Sequence, residues 1–172
     1  MAKPTGAKVF FFDGSPNSNK FPHLRPPDKP GQADHPELMQ AHNALLKNHA
    51  SELSHYYCSV DVFVVSAHNT FKNLGSYADF ARYSNGRLYY YPGYDGTKHG
   101  IKLDTEFTSV LTSKVCWEGV GRVRVSSNYH QIGTYGNYLV KARTADLLSL
   151  PACDEHRFVY YEFEKADTTL GA

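Results

Sequence analysis

Three short apolar runs, each followed by a stretch with helical spacing of its hydrophobic residues, occupy most of the first two thirds of the chain. The runs are "GAKVFFFDG" (6–14), "CSVDVFVVS" (58–66) and "RLYYYPGY" (87–94). Most of their positions are apolar, which is typical of strands buried on both faces of a parallel sheet. Helices are predicted from Asp34 or Pro36 to about residue 57, over 73–86 and over 103–115.

The order of these elements predicts the fold class. Strands that alternate with helices form a parallel sheet with right-handed crossovers, so an α/β architecture is expected for this part of the chain. Six prolines from Pro16 to Pro36 predict a long surface loop, because proline fixes φ and donates no backbone hydrogen bond. The pair Asn85-Gly86 is a typical end for the second helix.

The pattern changes after about residue 118. The stretch "GRVRVSSNYHQIGTYGNY" (121–138) resembles two adjacent strands joined by a polar turn, as in an antiparallel sheet. Antiparallel strands are predicted near 120–127, 130–140 and 157–164. Three such strands leave open edges, so this part is predicted to be an incomplete β-sandwich that follows half of an α/β domain.

Composition and charge bear on the possible partners of the protein and on its location in the cell. The net charge is +1, which predicts no basic surface for nucleic acid. No apolar run approaches 18 residues, and "MAKPTGAKV" lacks the apolar region of a signal peptide. Cys58, Cys116 and Cys153 form no C-x-x-C pair, so we expect reduced thiols and a cytosolic location.

Nine histidines raise the question of a metal site. His42 and His49 lie seven residues apart on the first predicted helix, which separates them by about 10 Å, too far for one zinc ion. His55 with Cys58 supplies only two ligands, and the chain has no H-E-x-x-H motif. We therefore expect surface or capping histidines.

Catalytic signals are equally sparse. Cys58 lies at the entry of a strand, whereas active sites of α/β proteins gather at the carboxyl ends, so we expect a buried structural cysteine. No G-x-S-x-G motif occurs, and "DGSPNSN" (13–19) leads into the proline loop instead of the helix N-terminus that a phosphate site needs. Asp61 is unexpected inside an apolar strand, and we expect its side chain to bond backbone at the edge of the sheet.

Several segments, taken in order, resemble the cargo-adaptor family of the COPII inner coat (Sec-twenty-four type). The resemblance covers about residues 6 to 164 and rests on five segments: "GAKVFFF", "CSVDVFVVS", "YADFARYSNGRLYYYPGY", "RVRVSSNYHQIGTYGNY" and "DLLSLPACDEHRFVYYEFE". Ser84-Asn85-Gly86 stands in place of the family's T-G-G, Gly121 in place of an apolar residue, and Asn128 in place of a glycine. These departures indicate a divergent member.

The resemblance implies a fold and a division of the chain. Residues 1–117 would form the C-terminal half of a von Willebrand A-like trunk domain, and 118–172 a partial β-sandwich. Arg122, Arg124 and Ser126 would lie at the handover, the place where the trunk domain passes into the β-sandwich. The family's zinc-binding module would lie upstream, so no cofactor is expected within this chain.

The resemblance also implies a function. It indicates a non-enzymatic coat component that selects cargo for transport from the endoplasmic reticulum to the Golgi, at the cytoplasmic face of the membrane. Its partners would be the sister inner-coat subunit, sorting signals of membrane cargo and, indirectly, the small GTPase of the coat, with no nucleic acid. The family's cargo pocket would place Leu139, Lys141 and Arg143 against an acidic sorting signal.

Three alternatives stay open. The sister subunit, which activates the small GTPase, shares the fold but lacks the R-x-R-x-S signature. A nucleotide- or metal-binding α/β enzyme would need a phosphate loop or an acid/base pair. A metal-dependent von Willebrand A adhesion domain would need D-x-S-x-S after its first strand, and that motif does not follow residues 6–14.

Overall fold

A computed structural model describes residues 6–14, 45–66, 74–140 and 147–166 of the chain. Its first part is a parallel sheet with the order β1-β2-β3, in which Ala7 lies beside Cys58 and Val62 beside Leu88. The strands are β1 (Ala7–Asp13), β2 (Cys58–Val65) and β3 (Leu88–Tyr91), and the helices are α1 (Leu45–His55), α2 (Leu74–Tyr83) and α3 (Gly96–Thr112). The predicted α/β order with a parallel sheet is confirmed. The proline loop lies outside the described residues.

Helices pack on both faces of this sheet. The side chains of β2 point alternately to one face and to the other, so each face has apolar residues to bury. Val60, Val62 and Val64 are buried against α1 and α2, together with Tyr77 and Ala81 of α2. On the opposite face, three buried side chains form a second core that partly buried residues of α3 help to cover: Phe63, Tyr91 and Val110. The side chain of Asp61 lies on the same face of β2 as that of Phe63, because the two residues are two positions apart in the strand.

Two tyrosines tie the helices to the sheet. The Tyr77 hydroxyl on α2 donates to Asp13 Oδ2 at 2.8 Å, and the Tyr91 hydroxyl on β3 donates to Glu106 on α3. Burial, followed by the hydrogen bond to the carboxylate, raises the pKa of both tyrosines above its ordinary value. These two aromatic side chains therefore serve packing and stay protonated.

The helix α2 ends as predicted, at Asn85-Gly86. Asn85 adopts φ of 61°, and the Gly86 N–H donates to the Ala81 carbonyl at 2.7 Å, which closes the helix with a left-handed residue. A Cβ on Gly86 would lie 1.7 Å from the Val60 carbonyl oxygen. Glycine is therefore required here because the turn packs directly on the backbone of β2.

The helix α3 begins earlier than the predicted residue 103. Asp95 caps it, and its carboxylate accepts a hydrogen bond from the Thr97 N–H at 2.9 Å. Gly96 and Gly100 lie in the first turns, and glycine weakens a helical pattern in a sequence. The cap and the tertiary position of the helix outweigh that weakness.

The second part of the chain is antiparallel. It contains β4 (Val115–Gly121), β5 (Tyr129–Gly136), β6 (Leu139–Val140), β7 (Leu148–Asp154) and β8 (Val159–Lys165). In the described residues they form one sheet with the order β4-β7-β6 and a two-stranded sheet of β5 with β8. The predicted change to antiparallel strands is confirmed, whereas the proposed division at residues 117 and 118 stays a prediction.

The predicted pairing within 121–138 is wrong. Residues 122–126 form no strand, and β5 pairs with the distant β8, so that Tyr129 lies opposite Lys165 and Gly136 opposite Val159. The strand β7 has no counterpart among the predicted strands, and Pro151 lies in its middle. Proline cannot donate to a ladder, and the β4–β7 register passes from Trp117↔Ala152 to Gly119↔Leu150 without pairing it.

The antiparallel part leaves large apolar side chains in contact with solvent. Those exposed by more than half are Val120, Ile132, Tyr135, Phe158 and Tyr160. None of the described helices is both long enough and apolar enough to span a bilayer. Val120, Ile132, Tyr135 and Tyr160 lie on strands, where packing against a further sheet would cover them.

Replacing Gly86 should strongly destabilise the fold. In Gly86→Ala the new Cβ would overlap the backbone of β2, which cannot move without breaking its pairing with β1 and β3, so we expect a loss of about 3 kcal/mol or more in the free energy of unfolding. Chemical denaturation of both proteins measures the difference. Gly100→Ala is the matched control because nothing lies within 4 Å of its Cβ position, and it should be neutral or stabilising. Equal stability of the two variants would contradict this account.

Candidate functional site

The candidate site lies where the parallel sheet meets the end of β7. Among the described residues, five charged side chains converge there and are called the junction cluster: Lys8, Asp61, Arg87, Asp154 and Arg157. The first three belong to β1, β2 and the segment before β3, and the last two to the end of β7 and the turn after it. The cluster therefore joins the two parts of the chain.

Asp61 is the fully buried member of the junction cluster. Its Oδ1 accepts the backbone N–H of Arg87 at 2.7 Å and lies 3.2 Å from Arg157 Nη2, while Lys8 Nζ lies 3.3 Å from its Oδ2. The expectation that Asp61 bonds backbone is correct. Its expected location at the sheet edge is wrong, because β2 is the central strand and the carboxylate is held there by two cations.

Asp154, at the end of β7, is the second carboxylate. It accepts the His156 backbone N–H at 3.0 Å and forms ion pairs with Arg87, with Lys8 at 3.5 Å and with Arg157 at 3.6 Å. Burial by itself raises the pKa of Asp154, but the positive charges of Arg157 and Arg87, with the hydrogen bond and Lys8, outweigh it. The pKa of Asp154 consequently lies below its usual range.

The charges decide what this arrangement can do chemically. Three cations face two carboxylates, which leaves one excess positive charge in the cluster. Because Asp154 remains ionised at neutral pH, it has no proton to give as a general acid. The geometry therefore suits a polar connection between two sheets and does not resemble an acid/base pair.

Two asparagines form a second connection beside the cluster. The Asn85 Nδ2 donates to the Asn137 carbonyl at 2.6 Å, and the Asn137 Nδ2 donates to the Gly86 carbonyl at 2.7 Å. Asn85 is buried, and its Cα holds the left-handed conformation that ends α2. Asn85 thus both ends a helix and binds the residue after β5.

A cleft of about 160 Å³ opens next to both connections. Its walls come from the two parts of the chain: Arg87, Gly136, Asn137, His156, Arg157 and Phe158. The Arg157 side chain is only 7% exposed, so the cleft meets the junction cluster mainly through Arg87.

Comparisons with known proteins agree on one family. Residues 1–111 match the family described as "Sec23/Sec24 trunk domain". The chain belongs to the Sec23/Sec24 trunk domain family. It is 32% identical over 133 residues to "Protein transport protein SEC24 A" of Arabidopsis thaliana, and 31% identical over 157 residues to "Protein transport protein sec24" of Aspergillus clavatus. These matches cover 77% and 88% of this chain but only 12% and 17% of the two relatives.

A solved structure shows the same fold. The chain superimposes on "Crystal structure of the human COPII-coat protein Sec24c" with a TM-score of 0.83 at 19% sequence identity, over 98% of this chain and 23% of that one. The predicted resemblance to the cargo-adaptor family is confirmed. The chain spans less than a quarter of the length of the structure and of both relatives named here.

Only one of the three proposed cargo residues lies among the residues that the structure describes. Leu139 lies on β6, where its backbone pairs with Ser149 of β7. Lys141 and Arg143 lie outside the described residues, so their role stays a prediction. Arg122 and Arg124 lie in the segment that connects β4 to β5, within the antiparallel part, and their expected place at a handover between two domains stays a prediction.

Cys58 and His49 have the surroundings of a structural cysteine and a surface histidine. Cys58 is half-buried at the start of β2, and its thiol donates towards the Tyr56 carbonyl. His49 Nδ1 lies 3.8 Å from Glu52 Oε2 on the exposed side of α1. No three His, Cys, Asp or Glu side chains in the described ranges are grouped so that they could hold a metal ion. His42 lies outside those ranges.

Sequence reasoning missed the junction cluster as a unit. The only local signal is Asp61, an acid in an otherwise apolar strand. Its partner Arg157 lies 96 residues away, and Lys8 lies 146 residues from Asp154. No spacing rule connects residues so far apart, although a buried acid predicts that some cation must reach it.

Removing Arg157 should cost much of the stability of the chain. Arg157→Met keeps a long apolar stem but leaves two buried carboxylates with one cation fewer, and breaking a buried pair in this way costs about 3–5 kcal/mol. Urea denaturation measures the free energy of unfolding. Lys102→Met is the control, because the Lys102 side chain is 59% exposed and its pair with Glu106 on the same helix contributes about 0.5 kcal/mol or less. Similar small losses in both variants would refute a stabilising role for the cluster.

Acid should weaken the fold through Asp154. Its folded-state pKa lies below the value of about 3.9 that aspartate has in unfolded chains, so its contribution is complete above that pH and is lost as the pH falls through the folded pKa. In Asp154→Asn this pH-dependent contribution is absent. We expect the stability of the wild type to fall more steeply than that of Asp154→Asn between about pH 5 and pH 2. Parallel stability curves over this range would be the contrary result.

Proposed function

We propose that this chain is part of a non-enzymatic COPII coat subunit that selects cargo for transport from the endoplasmic reticulum to the Golgi. The observation that carries the proposal is the family match, together with relatives that bear the name protein transport protein SEC24 and resemble most of this chain. The family description covers both Sec23 and Sec24. The relatives named above favour the cargo adaptor over the sister subunit that activates the small GTPase.

The proposed partners follow from this assignment. The trunk would bind the sister inner-coat subunit, the coat's small GTPase would be reached indirectly, and the protein would lie peripherally on the cytoplasmic face of the endoplasmic reticulum. Sorting signals of membrane cargo would bind near Leu139, Lys141 and Arg143, because a basic side chain forms charge-assisted hydrogen bonds with a carboxylate. No nucleic acid partner is proposed.

The absence of enzymatic activity is also part of the proposal. It is supported by the chemistry of the junction cluster, in which the carboxylates are bound by cations and the pKa of Asp154 is lowered. No cofactor is assigned to this chain, and the zinc module of the family is proposed to lie upstream of it. A nucleotide-binding enzyme is the competing class.

Affinity capture from a eukaryotic cytosolic extract tests the class. With the corresponding full-length protein as bait, we expect to recover the sister inner-coat subunit and the small GTPase of the coat. If neither is recovered and the bait retains a nucleotide, the coat assignment fails and the nucleotide-binding enzyme replaces it.

The cargo site has its own test with the same full-length protein. The double variant Lys141→Glu/Arg143→Glu should still capture the sister subunit but bind acidic cargo-tail peptides at least about tenfold more weakly, because attraction becomes repulsion. Lys102→Glu on α3 is the matched charge reversal and should leave peptide binding unchanged. Unchanged peptide affinity in the double variant would remove these residues from the proposed site.

A further inference from the structure

Two cysteines lie directly opposite each other on neighbouring strands. Cys116 of β4 is the register partner of Cys153 of β7 in an antiparallel pair. Directly opposed residues in such a pair present their side chains on the same face of the sheet. Cys116 is exposed and Cys153 is half-buried, so one thiol of the pair is open to reagents from solvent.

The separation of the two backbones suits a disulfide. Opposed residues in an antiparallel pair have Cα atoms about 4.5–5.5 Å apart, and a disulfide spans Cα separations of about 4.4–6.8 Å. The register therefore brings the two backbones within the range of Cα separations that a disulfide spans. Cys58, in the parallel sheet, has a different strand as its neighbour and lies opposite Ala7.

We propose that Cys116 and Cys153 form a thiol-reactive site that closes to an intramolecular disulfide on reaction with a small-molecule disulfide. In the first step the Cys116 thiolate attacks the reagent, breaks its S–S bond and releases one small thiol. In the second step the Cys153 thiolate attacks the mixed disulfide at the Cys116 sulfur and releases the second small thiol. The two protein thiols are oxidised, the reagent disulfide is reduced to two thiols, and the two protons pass to those thiols.

The surroundings set the order of these steps. Burial raises the pKa of the Cys153 thiol above its ordinary value, although the positive charge of Arg157 opposes the shift. Since the thiolate is the reactive form, exposed Cys116 reacts first and Cys153 completes the bond. Closure of the mixed disulfide should accordingly accelerate as the pH rises.

The bond would join two strands of one sheet beside the junction cluster. Successive side chains of a strand point to opposite faces, so Cys153 lies on the face opposite Asp154. A disulfide would join β4 to β7 without displacing the ion pairs of Asp154. It would also link residues 37 positions apart in the unfolded chain, which restricts that chain and stabilises the folded one.

Oxidised glutathione is the probe for this site. The 172-residue chain is incubated with it, the remaining thiols are alkylated, and intact mass with peptide mapping locates the products. We expect a Cys116–Cys153 disulfide with Cys58 alkylated, at a yield independent of protein concentration and reversed by a reductant. A mixed disulfide at Cys116 that never closes, or a disulfide that includes Cys58, would overturn the proposal.

Three serine variants separate the site from general thiol oxidation. Cys58→Ser should form the disulfide like the wild type, Cys153→Ser should stop at a stable glutathione adduct on Cys116, and Cys116→Ser should form no disulfide. Oxidation should raise the melting temperature of the wild type and of Cys58→Ser by several degrees and leave the other two unchanged. An equal rise in all four proteins would contradict a specific bond between β4 and β7, and an unchanged melting temperature of the wild type after closure would contradict the stabilising effect of that bond.

Discussion

The structure depends on a charge buried in the central strand of the parallel sheet. Asp61 has no exposed surface, and an unpaired carboxylate in such a place would cost several kcal/mol. The parallel sheet supplies only part of the compensation, through Lys8 and the backbone N–H of Arg87. The remaining cation, Arg157, comes from the turn after β7. The parallel sheet therefore depends on a cation from the antiparallel part to compensate the charge of its buried carboxylate.

This dependence is mutual and fixes how the two sheets meet. Asp154 ends β7 and is bound by Lys8 and Arg87 of the first part, while Arg157 contacts carboxylates of both. Hydrogen bonds depend on direction, so those between Asn85 and Asn137 favour one relative arrangement of the two parts, and the cluster adds the requirement that each buried carboxylate meets its cations. Apolar packing alone would tolerate several.

The sequence predicts the parts of this fold that local pattern controls. The runs that become β1, β2 and β3 are apolar and short. Asn85-Gly86 ends α2 because asparagine tolerates the left-handed conformation and a residue with a Cβ does not fit at Gly86 against β2. The antiparallel pairings are different. β7 contains Pro151, and β5 pairs with β8 across more than twenty residues, so neither composition nor spacing reveals the partner strand. The junction cluster is hidden for the same reason, since its ion pairs join residues that are close only after both sheets have formed.

Asp61 and Arg157 couple the two parts of the chain, and a double-mutant cycle measures the strength of this coupling. The free energies of unfolding of Asp61→Asn, Arg157→Gln and the double variant are compared with that of the wild type. We predict a coupling energy of at least about 1 kcal/mol, as for groups in one ionic network. Losses that add to within about 0.3 kcal/mol would mean that the two residues act independently, and the account of the junction would be wrong.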